Sequence, residues 1–145
     1  MESSAPARVL IVANRTAATP TLFDRVRDRA DKGPCEFVLL VPDLHRLADP
    51  DSREAGIILE LAVPLLEQAS GEHVEGVVGD PDPEVAVRDL LARQDVDEIL
   101  VSTLPPRVSH WLRTDLPGRL RALGKPVAVV TTPEAARPVA PPPTA

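Results

Sequence analysis

Residues 8–14 read RVLIVAN, an apolar run with an arginine before it and an asparagine after it. A run this short, with no polar residue inside it and a turn-former at its end, predicts a strand buried on both faces, because a half-exposed strand would alternate. Similar runs return at residues 35–41 (CEFVLLV), 97–103 (DEILVST) and 126–132 (PVAVVTT), and in weaker form at 73–79 (HVEGVVG). Helical patterns lie between them. Thr19 and Pro20 supply an N-cap and first helical position, and Leu22, Phe23, Val26 and Ala30 recur at helical spacing until Gly33. Asp51 with Glu54 reads as a capping box ahead of Ile57, Ile58, Leu61, Leu65 and Leu66, with Pro64 expected to bend or tighten that helix. Asp82 caps a third helix that starts at Pro83, carries Val85, Val87, Leu90 and Leu91, and ends near Gln94. Asp115 caps the last, whose apolar side is Leu116, Leu120 and Leu123, with Gly124 as its stop.

Strands alternating with helices in this way require right-handed crossovers, and hence an α/β fold: an open, doubly wound, five-stranded parallel sheet with helices on both faces. At 145 residues the chain holds one domain, expected over residues 1–132. Five of the thirteen residues from Pro133 onward are proline and half of the rest alanine, so residues 133–145 are expected to form a disordered tail.

Composition narrows the function. The only aromatics are Phe23, Phe37 and Trp111, and 16 basic residues face 22 acidic ones, which leaves neither a base-stacking platform nor the charge for a phosphate backbone; no nucleic-acid partner is expected. No apolar stretch approaches the ~18 residues a membrane helix needs, so no membrane partner is expected either. A lone cysteine, Cys35, forms no internal disulfide, and no basic region precedes an apolar run at the N-terminus; a cytoplasmic location is expected. The histidines His45, His73 and His110 show no metal-ligand spacing, and no Gly-x-Ser-x-Gly occurs, so neither a metal site nor catalytic residues are expected. Cys35 reads as a small core residue, and Asp82 and Glu84 belong to a helix start rather than to a cation site with Asp80.

In open parallel sheets ligands bind beyond the carboxyl ends of the strands, which singles out the loops at residues 14–19 and 102–114. Both carry hydroxyls and arginines, chemistry suited to a small polar or anionic ligand, although the same residues also serve to cap helices and solvate loops. Trp111 lies in the second loop, where it packs that loop onto the sheet or lines the site.

Gly79-Asp80-Pro81 entering the third helix, Val96-Asp97-Glu98-Ile99-Leu100-Val101 and the closing PVAVV of residues 126–130 together resemble the universal stress protein family over residues 7–132. The resemblance implies an adenine nucleotide alpha-hydrolase-like fold with sheet order 3-2-1-4-5. Many members of that family bind ATP through a loop G-x2-G-x9-G-(S/T) after the fourth strand, with an aspartate at the end of the first. Here the three glycines fall on Ser102, Pro105 and Asp115, the hydroxyl on Leu116 and the aspartate on Asn14. Pro105 and Pro106 remove backbone donors, and Asp115 as a cap is expected to place a carboxylate where a phosphate would otherwise be received.

The function expected is therefore that of a small, non-enzymatic regulatory or stress-response protein without a cofactor and without tight ATP binding. The alternative is an adenine-nucleotide binder that holds ATP or AMP weakly, with Asn14, Val41 and Gly79 around the adenosine, Ser102 in the loop, and Arg107 or Arg113 at the phosphate. In the implied sheet order the fifth strand lies at an edge. Val127, Val129 and Val130 are β-branched, Thr131 and Thr132 favour extended structure, and no charge interrupts the run, so a homodimer through residues 127–132 is expected, as the resemblance also implies.

Overall fold

The computed structural model describes residues 6–133. In chain order the elements are β1 (Ala7–Val12), α1 (Pro20–Asp31), β2 (Cys35–Pro42), a 3-10 turn (Leu44–Leu47), α2 (Glu54–Ser70), β3 (Val74–Gly79), α3 (Pro83–Arg93), β4 (Glu98–Thr103), α4 (His110–Arg113), α5 (Leu116–Arg121) and β5 (Val127–Thr131). All four strand pairings are parallel, and the sheet order is β3-β2-β1-β4-β5. This is the doubly wound fold that the apolar runs require. The tail expected at residues 133–145 falls, from residue 134 on, outside the described residues.

Side chains alternate across the sheet, so each buried strand feeds two cores. Val9 and Ile11 of β1, with Phe37, Leu39 and Val41 of β2, pack against Leu22 and Val26 of α1 and Ala62 and Leu66 of α2. On the opposite face Leu10, Val12, Val38 and Leu40 pack against Ala86, Val87 and Leu90 of α3 and against Leu116 and Leu120 of α5. The β4 register is pinned outside the strand. Asp97, read as the first residue of that strand, precedes it; its carboxylate accepts from the Arg8 backbone N–H at 2.8 Å while its own N–H donates to the Arg8 carbonyl at 2.9 Å. Arg29 of α1 clamps Glu98 with two hydrogen bonds, 2.8 and 3.1 Å, and this bond to the carboxylate raises the arginine pKa further. Cys35 is buried at the start of β2, and its burial pushes the thiol pKa up.

Several local expectations are corrected. Asp51 does not cap α2: its N–H donates to Asp49 Oδ1, Arg53 stands at the N-cap, and the Ser52 hydroxyl accepts from Glu54 N–H. Pro64 sits inside α2, which runs on to Ser70 and ends at Gly71 in the left-handed conformation. Thr19 is at the N-cap of α1, yet its hydroxyl donates to the Thr16 carbonyl at 2.8 Å instead of accepting from the helix. The last helix, α5, starts after Asp115 as expected, but the loop ahead of it holds a one-turn helix, α4. Asp82 caps α3 as expected, accepting from Glu84 and Val85 N–H.

Gly79 ends β3 beside Ala86 of α3 and Leu40 of β2. A Cβ at this position would stand 2.7 Å from both Ala86 Cβ and Leu40 Cδ1. Gly79→Ala is therefore expected to cost about 1–3 kcal/mol by overpacking, measured by urea unfolding.

Candidate functional site

The strand order reverses at β1, which has β2 on one side and β4 on the other, so the loops after β1 and β4 part at the carboxyl edge and leave a crevice. A cleft of about 280 Å³ occupies it, at the lower end of the size range for small-ligand sites. Asn14, Arg15 and Thr16 come from the first loop, Leu44 and His45 from the 3-10 turn, and Ser102, Thr103, Leu104 and residues 108–111 from the end of β4 and the loop beyond. A second, wider depression continues from it toward Pro81 and Arg119 and shares Leu44, His110 and Trp111 with it.

The polar groups on the floor are satisfied by one another. Thr16 Oγ1 and Ser102 Oγ are 2.7 Å apart, and Thr103 Oγ1 and Ser109 Oγ 2.6 Å apart, all four residues being buried. Ser109 Oγ also accepts from Leu112 N–H at 3.1 Å and so caps α4. The N–H groups of Val108 and Ser109 both donate to the Pro105 carbonyl, at 3.0 and 2.9 Å. Three backbone donors that a phosphate loop would offer outward are thus spent inside the loop. Asn14 Nδ2 donates to the Pro42 carbonyl at 3.0 Å and ties the β1 loop to the end of β2. His45 Nε2 lies 3.1 Å from Glu54.

Of the residues proposed from sequence, Asn14 and Ser102 line the cleft. Val41 does not, because its side chain is fully buried in the core beneath α1 and α2. Gly79 serves helix packing, and its carbonyl accepts from Asp43 N–H at 3.0 Å. Arg107 and Arg113 are exposed and lie off the cleft lining. The expected blocking role of Asp115 is corrected. It caps α5, with Oδ1 accepting from Gly118 N–H at 3.2 Å and a left-handed backbone at φ 56°, and is not among the residues that line the cleft. Ser109, at the head of α4, closes the loop in its place. Glu84 is held by Arg88 and Arg119 at 2.6 and 2.8 Å.

Sequence reasoning missed Leu44, His45 and the hydroxyl pairs. Ser109 ahead of an apolar HWL was a readable N-cap signal, but a four-residue helix has no period to draw attention to it. Asp43 was also missed: it is buried after β2, and its Oδ1 has no hydrogen-bond partner among the described residues.

No protein-family model matches this chain, and no curated protein does. Solved structures do. A universal stress protein in complex with cAMP superposes with a TM-score of 0.63 over 89% of this chain and 99% of that one, at 18% identity. A universal stress protein from Archaeoglobus fulgidus superposes with a TM-score of 0.62 over 86% of this chain and 93% of that one, at 16% identity. The chain has the fold of these proteins, with the sheet order that the resemblance implied.

The helix-cap role of Asp115 is open to direct test. Asp115→Ala removes the acceptor and puts a non-cap residue at positive φ, and is expected to lower stability by about 1–2 kcal/mol in urea unfolding. Asp115→Asn keeps both the cap and the tolerated backbone, and should stay within about 0.5 kcal/mol of the parent.

Proposed function

We propose that this chain is a non-enzymatic regulatory protein of the universal stress type, working in the cytoplasm as a homodimer, with a small-ligand cleft that does not hold ATP tightly. The loop after β4 carries this reading: Ser109 caps α4, and Val108 and Ser109 N–H turn inward to Pro105, where a glycine-rich loop would aim its donors at phosphate. The fold shared with solved universal stress proteins supports the assignment. A second reading, weak binding of an adenine nucleotide, is favoured by one observation: a protein of the same fold was solved with cAMP.

Assembly through β5 is supported by the edge itself. Pro126 O accepts from Ile99 N–H and Thr132 N–H donates to Thr103 O, so residues 126 and 132 face β4 and, by alternation, 127, 129 and 131 turn their backbone groups outward. Arg121 already donates to the Val127 carbonyl at 3.2 Å, which leaves Val129 and Thr131 as the open hydrogen-bonding stretch. The opposite edge, β3, carries Glu75, whereas β5 carries no charge.

Calorimetric titration with Mg-ATP is expected to give a Kd weaker than about 0.1 mM, or less than about 5.5 kcal/mol of binding. A micromolar Kd would overturn the reading that the cleft does not hold ATP tightly. Light scattering at tens of micromolar protein is expected to give the mass of a dimer, and Val129→Lys that of a monomer. A monomeric parent, or a variant that stays dimeric, would rule out this edge as the interface.

A further inference from the structure

The ligand class can be narrowed further, on the premise that the cleft is the ligand site of the proposed function. No aspartate or glutamate is among the described residues that line it. Its one fixed charge is Arg15, which is exposed at the rim and engages no carboxylate among the described residues. The interior is different. Leu44 and Val108, each 38% exposed, leave apolar surface uncovered beside Trp111 and Leu104. The hydroxyl pairs on the floor are bonded to one another and neutral, so the floor offers no charge. A polyanion entering here would leave most of its charge unpaired in an apolar space, whereas one negative group at the rim would be matched.

We propose that the cleft takes a compact, mainly apolar monoanion: a ring-sized body lodged between Leu44, Val108 and Trp111, with one carboxylate directed to Arg15. The cleft itself, at about 280 Å³, has room for one or two rings. Apolar contact supplies most of the affinity, and the exposed Arg15 supplies the preference for the acid over its neutral counterpart.

Trp111 is the only tryptophan in the chain, so its indole N–H gives one resonance in a proton–nitrogen correlation spectrum, and that resonance reports on the cleft wall. Titration of the full chain with 4-tert-butylbenzoate and, separately, with the neutral 4-tert-butylbenzamide is expected to shift this resonance to saturation with dissociation constants on the order of 1 mM. The benzoate should bind about threefold more tightly, as a solvent-exposed ion pair allows, and Arg15→Gln should abolish that preference while leaving the benzamide unchanged. An indole resonance that neither compound moves would overturn the proposal. So would equal binding of the two by the parent, or a preference that survives Arg15→Gln. Saturation of the same resonance by micromolar ATP would instead overturn the underlying reading of the cleft, whereas silent ATP with silent benzene derivatives would overturn the ligand class alone.

Discussion

Everything in this molecule is referred to the six residues of β1, which pair with β2 along one edge and β4 along the other while both faces are sealed. Leu10, Ile11 and Val12 have no exposed surface. Because alternate side chains enter opposite cores, the position of this one strand fixes where α1 and α2 lie on one face and where α3 and α5 lie on the other. Its carboxyl end is also where the sheet order reverses, so the place where the chain is most tightly held leads directly to the place where the surface opens.

The chemistry of that opening is set by which groups have already found partners. Hydroxyls at Thr16, Ser102, Thr103 and Ser109 form two short pairs, and the amides of Val108, Ser109 and Leu112 are engaged within their own loop. A loop built this way is rigid without a guest, because its polar groups do not depend on one. Loops that rely on glycine N–H groups aimed outward behave differently, since those donors stay solvated until an anion arrives. What the cleft retains is apolar wall and a single rim cation, and a side chain at the rim is a weaker and more screened attractor than a converging set of backbone dipoles.

The fold was legible because four of the five strands read as short, largely apolar runs that alternate with longer helical patterns. Helix caps were legible where a carboxylate had no competing partner, as at Asp82 and Asp115, and misread at Asp51, which lies in a turn where Asp49 and Ser52 take the local N–H groups. Of the cleft lining, Asn14 was legible because it follows β1 and Ser102 because it lies near the end of β4, both at the switch point. Val41 fails by parity, since it shares the face of Phe37 and Leu39, which point into the core under α1 and α2. Arg107 and Arg113 lie off the cleft lining for another reason: nothing in local sequence sets the direction of a long side chain on an exposed loop. The 3-10 turn at Leu44–Leu47 and the single turn of α4 are too short to carry a period, and they contribute the apolar wall of the cleft.

The order of the strands also bears on how the chain is made. β1 and β2 are neighbours in sequence and in space, but the second partner of β1 arrives late: 89 positions separate Arg8 from Asp97, and 86 separate Thr16 from Ser102. During synthesis the β1-β2-β3 half can assemble well before β4 is available. Over that interval the far edge of β1, a largely apolar strand, presents unpaired N–H and C=O groups to any other extended chain nearby. The nascent protein is thus exposed to wrong pairing along the line where its cleft will later open, and the cleft becomes complete only when the last quarter of the chain has docked.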